Sequence, residues 1–264
     1  MNQTETSLIQ PFPEWSREVR AAFTTRHCGG ASTGAHADLN LGFFCGDDPV
    51  RVADNWKKAL AAGGLAGIPL VVPRMVHGDR MADAGDLEIP ETRGVEPWAD
   101  DGRLEVDALF TRKPGLTLAV TMADCLAMLL FDPSSGTVAA IHAGWRGTRL
   151  GILSNVLERL ADEGAIRPQS TLLAFSPCLR SESLEVGAEV AAQLPGEFLA
   201  ERAGRFFFDL PGCNRAQALA RGIEPEHIRD AGGNTLGDPS LFFSYRRDGR
   251  VSGRMAAFIG LPVP

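Results

Sequence analysis

The sequence predicts an α+β fold in a single domain over residues 1–264, with helices layered on a mixed sheet or a pair of sheets. Short apolar runs that are typical of strands outnumber the amphipathic segments that are typical of helices, although both are plentiful. A chain of 264 residues that is 44% hydrophobic is long enough to bury a substantial core.

The N-terminal part of the chain predicts a region of turns followed by a helix. Residues 24–49 place Gly, Ser, Asn and Asp between short apolar pieces, a composition typical of ordered turns. Residues 49–64 begin with proline, end with glycine and space Val52, Trp56 and Leu60 along one helical face. We therefore expect turns of the kind that line sites, and then a helix.

Three neighbouring strands are predicted in the middle of the chain. Residues 116–122 and 126–132 are short apolar runs separated by three residues that end in Cys125, and residues 137–143 form a third run after a turn. The preceding segment, residues 79–107, is rich in Asp and Glu. We expect it to be mostly a surface excursion between two strands.

Two further helices and a hairpin are predicted in the C-terminal half. Leucine and valine residues between positions 150 and 160 share one helical face, and this helix ends near Gly164. Another helix starts after Asp209, with proline in its first turn, and runs to about Arg221. Residues 240–261 predict a hairpin, because an Asp-Gly pair separates two strand-like runs.

Charge and composition exclude several kinds of partner. The formal net charge is −7 and no run of Lys and Arg stands out, so we expect no nucleic-acid partner. No run approaches the ~18 apolar residues of a membrane helix, and the first residues lack the features of a signal peptide. Five cysteines without regular spacing predict free thiols in a reducing compartment. We therefore expect a cytoplasmic protein.

Three residues at predicted strand ends form a candidate metal site. Cys125 lies between two strands, His142 ends the next strand, and His77 ends another apolar run just before a glycine. Two imidazoles and a thiolate suit Zn²⁺, and three protein ligands leave the fourth position for water or substrate. The spacings are long and irregular, however. Taken singly, each histidine is better explained as structural and the cysteine as a small buried hydrophobe.

Several motifs in order along the chain resemble one family. They are "FTTRHCGGASTG", "DLNLGFFCGDDP", "VHG", "DALFT", "TMADCLAMLLFDP", "AAIHAGWRGT", "EVG", "FDL" and "FFSYRRDGRVSGRMAA". From about Phe23 to Ile259 the sequence is similar to the YfiH-like proteins, the so-called laccase-domain or polyphenol-oxidase family. The resemblance implies a layered α/β/β/α arrangement of mixed sheets flanked by helices. It also implies that His77, Cys125 and His142 bind zinc.

The resemblance further implies phosphorolysis of adenosine, inosine, guanosine and methylthioadenosine, with deamination of adenosine as a second activity. The expected partners are therefore purine nucleosides and phosphate, bound by a monomer. For contacts to phosphate or ribose we expect side chains from the family-like loops, namely Arg26, Asn40, Arg146, Arg246 and Arg247. A surface or structural salt bridge remains the alternative for any one of the arginines.

Asp124 precedes the cysteine ligand directly and is a further candidate catalytic residue, for proton transfer or for orienting a ligand. The chain also departs from the family pattern. Met75 stands where members usually carry Gln, residues 176–178 read "SPC" where "GPC" is usual, and residues 232–241 contain no Cys. None of these departures removes a metal ligand.

A multicopper laccase is not expected, because the chain has five histidines and no His-x-His pair. Cu²⁺ in place of zinc is still compatible with three ligands, since copper binds such sites more tightly, and a copper-loaded site would give incidental oxidase activity. Two other classes remain open. One is a cysteine hydrolase in which Cys125 attacks and His142 or His77 acts as base. The other is a non-enzymatic nucleoside-binding or scaffold protein.

Overall fold

The computed structural model of the protein describes residues 8–87 and 104–262. The strands in these ranges are Leu8–Ile9 (β1), Arg20–Thr24 (β2), Leu70–Val71 (β3), Met81–Asp83 (β4), Ala108–Thr111 (β5), Thr117–Met122 (β6), Leu126–Asp132 (β7), Thr137–Ala143 (β8), Leu172–Phe175 (β9), Glu185–Val186 (β10), Leu199–Arg202 (β11), Arg205–Phe208 (β12), Ile228–Asp230 (β13) and Met255–Gly260 (β14). The α-helices there are Pro49–Ala62 (α1), Trp145–Leu150 (α2), Ile152–Asp162 (α3), Ala188–Ala191 (α4), Leu210–Ala220 (α5) and Tyr245–Asp248 (α6).

The strands form three sheets. A five-stranded sheet has the order β1-β2-β14-β6-β3, a six-stranded sheet has the order β13-β9-β7-β8-β5-β4, and a small sheet has the order β10-β12-β11. Each large sheet combines antiparallel with parallel pairs, since β3 is parallel to β6 in one and β4 to β5 and β13 to β9 in the other. Both large sheets are therefore mixed, as the sequence predicts.

The two large sheets pack face to face, with helices outside them. Alternate residues of β7 show this: Met128 and Leu130 belong to a core shared with α3 and α5, whereas Leu129 and Phe131 belong to the core between the sheets. On the outer face of the five-stranded sheet, α1 packs Trp56 into a third core. The layers therefore run α/β/β/α, and the predicted α+β class is confirmed.

Most of the predicted elements are present. The three central strands are β6, β7 and β8, and the first helix is α1, which Gly63 caps at its C-terminal end. Asp209 caps α5 by accepting the N–H of Gly212 at 3.0 Å. The helix predicted after residue 150 is interrupted at its start, because Gly151 adopts a left-handed conformation (φ 77°) between α2 and α3.

The predicted hairpin over residues 240–261 is wrong. The Ser244 side chain accepts the N–H of Arg247 and caps α6, so the residues before the Asp-Gly pair form a helical turn. Only β14 is a strand, and it pairs with β2 and β6. The Asp-Gly turn signal predicted that the runs on its two sides pair with each other, whereas β14 pairs with strands that are distant in the sequence.

The acidic segment is described only in part. Its first residues form β4, which is parallel to β5, and its last residue, Asp107, lies directly before β5 and is fully buried. Leu104 and Val106 near its end are also buried, and residues 88–103 of the predicted surface excursion lie outside the described residues. Among the residues described, no helix has both the length and the apolar character that crossing a membrane requires.

Candidate metal centre

The three predicted ligands meet at one edge of the six-stranded sheet. In the pairing of β7 with β8, Leu126 lies opposite Ala143, which brings Cys125 beside the end of β8. The ligand atoms of His77, Cys125 and His142 all lie within 4.8 Å of one another. The two imidazole rings are nearly perpendicular, at 87°, with centroids 5.0 Å apart. The fold therefore assembles a His-Cys-His cluster that could hold a metal ion.

The donor set and its exposure fit an ion with an open coordination position. Two imidazoles and a thiolate are the donors that Zn²⁺ and similar ions prefer. His142 is buried, Cys125 is half-buried and His77 is exposed, so the cluster is partly open to solvent. An incoming molecule can therefore reach the site from solvent.

A buried carboxylate connects the two histidines. Asp107 lies 2.9 Å from Nδ1 of His142, and its carboxylate accepts the backbone N–H groups of Val76, His77 and Gly78 at 2.8–3.1 Å. The His77 backbone adopts a left-handed conformation (φ 60°), which is unfavourable for a residue with a side chain. The three N–H bonds to one carboxylate hold the loop in that conformation.

Gly144 leaves the space that the cluster occupies. A Cβ atom at this position would lie 3.0 Å from Sγ of Cys125 and 3.3 Å from Cδ2 of His77. Both distances are shorter than ordinary van der Waals contacts. The glycine in the segment "HAGWRG" therefore permits the cysteine and the first histidine to approach the end of β8.

The cluster stabilises a thiolate next to an imidazolium. Burial alone raises the pKa of the Cys125 thiol, but the charge and hydrogen bond of His142, with a smaller effect of His77, outweigh burial and lower this pKa to about 6. Burial likewise lowers the pKa of His142, whereas the Cys125 thiolate and Asp107 raise it to about 9. The thiolate is the form of cysteine that binds metals and attacks electrophiles.

We expect iodoacetamide to alkylate Cys125 of the metal-free protein rapidly at neutral pH. Because the pKa is about 6, the thiolate fraction is nearly complete at pH 7 and falls about tenfold per pH unit well below 6. The measurement is the rate of iodoacetamide labelling between pH 4.5 and 8.5, with mass spectrometry to separate label at Cys125 from label at the half-buried Cys28. Bound zinc should protect the thiol. A rate at Cys125 that rises only above pH 8 would contradict this assignment.

A cavity of about 830 Å³ opens beside the cluster. Its wall contains the three ligands, a set of aromatic side chains and a set of arginines. The aromatic residues are Phe43, Phe44, Trp145 and Tyr245, and the arginines are Arg74, Arg146, Arg246 and Arg254. Flat apolar rings together with guanidinium groups suit a ligand that carries both a planar ring system and an anion.

Two of the predicted arginines, Arg146 and Arg246, line this cavity. The guanidinium of Arg146 is exposed and lies 4.5 Å above the ring of Trp145, and it forms no salt bridge within residues 8–87 and 104–262. Arg246 donates one side-chain hydrogen bond, to the carbonyl of Glu185 at 3.0 Å. Both guanidinium groups therefore keep N–H donors for a ligand.

The other three predicted contacts lie outside the cavity wall. Arg26 donates to the carbonyls of Ala37 and Pro239, and Arg247 donates to its neighbour Asp248. The third residue, Asn40, is buried, and its amide bonds to the carbonyl of Gly42, the carboxylate of Asp47 and the N–H groups of Gly42 and Arg254. The contacts of Arg26 and Arg247 are therefore structural, which is the alternative that the sequence left open for any one of the arginines.

Asp124 lines the cavity, but its carboxylate has structural partners. One oxygen accepts the hydroxyl of Thr235 at 2.7 Å and the other accepts the N–H of Arg246 at 2.6 Å. Its backbone is left-handed (φ 94°), and its carbonyl accepts the N–H of Leu179. Asp124 thus connects the strand end that carries Cys125 to the helix that carries Arg246, a contact that suits orienting better than proton transfer.

Sequence reasoning missed the aromatic residues of the cavity wall, two of its arginines and the carboxylate of Asp107. Asp107 is the last residue of the acidic segment, yet it also opens the motif "DALFT" and lies directly before the apolar run of β5, which is a signal of burial. Arg74 and Arg254 line the cavity and were not among the predicted arginines. Arg74 lies just before the motif "VHG" and Arg254 lies within the motif "FFSYRRDGRVSGRMAA", which was the available signal.

Comparison with known proteins agrees with this geometry. Residues 20–262 match the model of the family described as multi-copper polyphenol oxidoreductase laccase. The chain belongs to this family. The laccase-like family is the one that the sequence motifs resemble, so the predicted resemblance is confirmed.

Relatives of this chain are named as purine nucleoside phosphorylases, in contrast to the oxidoreductase description of the family. A protein of Deinococcus radiodurans named purine nucleoside phosphorylase is 40% identical over 248 residues, which cover 92% of this chain and 90% of that protein. Purine nucleoside phosphorylase YfiH of Escherichia coli is 34% identical over 258 residues, covering 94% and 97%. The crystal structure of YlmD from Geobacillus stearothermophilus superposes with a TM-score of 0.86 at 30% identity, covering 99% and 98%.

Proposed function

We propose that this laccase-like chain is a zinc-dependent purine nucleoside phosphorylase. The observation that carries the proposal is the His-Cys-His cluster at the wall of a cavity that also presents aromatic rings and arginines. The names of the relatives support the reaction class. Zinc is favoured among the candidate ions because two imidazoles and one thiolate with an open fourth position match the ligands of catalytic zinc sites.

In phosphorolysis, each group of side chains at the cavity wall would have its own role. A phosphate oxygen attacks the anomeric carbon of the ribose while the bond to the purine nitrogen breaks, giving ribose 1-phosphate and a free base that takes up a proton. Positive charge develops on the ribose and negative charge on the base. The guanidinium groups of Arg146 and Arg246 would bind and orient phosphate, and the aromatic rings would stack on the purine. Bound zinc would supply a Lewis acid that stabilises developing negative charge.

The test is phosphate-dependent release of base. Zinc-loaded protein is incubated with adenosine, inosine, guanosine or methylthioadenosine, and the base and the sugar 1-phosphate (ribose 1-phosphate, or 5-methylthioribose 1-phosphate from methylthioadenosine) are quantified with and without phosphate. We expect the two products in equal amounts and only with phosphate present. Inosine formed from adenosine in the same samples would report the proposed deaminase activity. Base release at the same rate without phosphate would mean hydrolysis and would exclude a phosphorylase.

Arg146→Ala should raise the KM for phosphate about 10–100-fold with unchanged zinc content, because a charge-assisted contact to an anion is worth about 1.5–3 kcal/mol. Arg149→Ala is the matched control, since Arg149 is an exposed arginine on the same helix outside the cavity wall. The measurement is initial rate against phosphate concentration at saturating nucleoside. Equal effects of the two substitutions would remove Arg146 from the phosphate site.

A cysteine hydrolase is the second candidate, and one observation favours it. Cys125, His142 and Asp107 follow the order nucleophile, base and orienting carboxylate, and the pKa of the cysteine is low. The same three residues serve a metal centre, where the thiolate is a ligand and cannot also be a free nucleophile. Stoichiometric zinc in active protein therefore separates the two functions. Copper could occupy the same ligands, with incidental oxidase activity, since Cu²⁺ binds such sites more tightly than Zn²⁺.

We also propose that the enzyme works as one catalytic domain and as a monomer. Its partners are purine nucleosides and phosphate, without nucleic acid or a membrane. A cytoplasmic location fits a site that depends on a reduced thiol.

A further inference from the structure

One carboxylate makes four contacts within the candidate metal centre. Oδ1 of Asp107 lies 2.9 Å from both the N–H of His77 and Nδ1 of His142, and Oδ2 accepts the N–H groups of Val76 and Gly78 at 3.1 and 2.8 Å. Its backbone carbonyl also accepts the N–H of His142 at 2.7 Å. A single residue thus contacts the backbone of one histidine ligand and both the ring and the backbone of the other.

The carboxylate has no exposed surface, and a buried charge is unfavourable unless hydrogen bonds satisfy it. Those hydrogen bonds go to the parts of the chain that carry ligands. Since Nδ1 of His142 faces Asp107, only Nε2 of that ring remains for a metal ion. The bonds also hold His77 in its left-handed conformation, which an unsupported loop would leave.

We propose that Asp107 is the positioning residue of the metal centre. It fixes the orientation of the His142 ring, with Nδ1 held against the carboxylate and Nε2 left for the ion, and the backbone conformation of His77, so that both imidazoles are in place before an ion arrives. This role rests on the proposed function in one respect, namely that His77, Cys125 and His142 bind a metal ion. It assigns to Asp107 no contact with substrate and no proton transfer.

Asp107→Asn is the substitution that tests this role, because an amide has one acceptor oxygen and its NH₂ group cannot accept N–H bonds. Asp132→Asn is the matched control. Asp132 is equally buried and also has four contacts, from the N–H groups of Ser134 and Arg167 and the hydroxyls of Ser134 and Ser170. It ends β7 at the opposite end of that strand from Cys125.

The measurement is titration of the metal-free proteins with Co²⁺, which gives a thiolate charge-transfer band and visible bands that report the ligand geometry. We expect Asp107→Asn to bind Co²⁺ about 10–100-fold more weakly with altered visible bands. Asp132→Asn should bind as the wild type does, whatever its effect on thermal stability. Equal weakening in both variants, or wild-type affinity in Asp107→Asn, would overturn the positioning role.

A second measurement needs only the wild type and so does not depend on folding of the variant. In the ¹⁵N spectrum of the zinc-loaded protein, His142 should show a protonated Nδ1 and a metal-bound Nε2. Metal bound through Nδ1 would overturn the proposal. Wild-type protein that binds neither Co²⁺ nor Zn²⁺ would overturn the proposed function and this role together, whereas wild-type binding without an effect of Asp107→Asn overturns this role alone.

Discussion

His142→Ala should lose its bound zinc and release base from inosine at least about 1000-fold more slowly than the wild type, because a catalytic metal contributes several kcal/mol and each 1.4 kcal/mol is a factor of ten. His142 is only 3% exposed and has contacts to both Cys125 and Asp107, and alanine supplies no donor atom in place of its ring. The measurement combines metal analysis of the purified variant with initial rates of hypoxanthine release at saturating phosphate.

His27→Ala is the control for this substitution. His27 is an exposed histidine outside the cavity wall, and its ring bonds to the carbonyl of Ser240. The control should keep its zinc and its rate, and thermal unfolding should show that the His142 variant is folded. A folded His142→Ala protein that turns over inosine at the wild-type rate would exclude this histidine as a ligand of the catalytic metal.

Trp56→Ala should lower the free energy of unfolding by about 3–5 kcal/mol, the usual cost of removing a large buried aromatic side chain. Trp56 has no exposed surface, and it fills the core between α1 and the five-stranded sheet. Its indole N–H donates to the carbonyl of Leu41 at 3.0 Å. Leu41 begins the stretch that contributes Phe43 and Phe44 to the cavity wall. The measurement is urea unfolding monitored by far-UV circular dichroism, because the substitution itself changes the tryptophan fluorescence.

Trp56→Phe separates packing from the hydrogen bond. It keeps most of the apolar volume but leaves the Leu41 carbonyl without its donor, so we expect a loss of about 1–3 kcal/mol. Because the freed carbonyl belongs to the loop at the cavity wall, the KM for nucleoside should also rise in this variant. Equal stability of the alanine and phenylalanine variants would show that Trp56 does not pack as described.

The central elements of the fold could be predicted because they have strong local signals. β7 and β8 are buried on both faces and appear as continuous apolar runs, and α1 and α5 have clear capping residues. Two-residue strands such as β3 and β10 have no periodicity to detect. The turn around Gly249 resembled a hairpin because Asp-Gly is a hairpin signal, whereas the Ser244 cap and distant partners of β14 determine the structure.

The ligands of the candidate site could be proposed from sequence, but the arrangement around them could not. Cys125 and His142 lie near each other because β7 pairs with β8, a prediction available from the apolar runs. The loop that carries His77 is held beside them by Asp107, which lies 30 positions later in the sequence at the end of the acidic segment. Sequence neighbourhood also could not show that the side chain of Arg146 lines the cavity while that of Arg26 packs over Phe243.

The most direct measurement is a zinc titration of the metal-free protein while phosphate-dependent hypoxanthine release from inosine is recorded. Activity should be absent at first, rise in proportion to added zinc and reach its maximum at one ion per chain, with ribose 1-phosphate formed in equal amount. Full activity in protein shown to contain no metal, or release of base that does not require phosphate, would contradict the assignment of this cluster as the centre of a zinc-dependent phosphorylase.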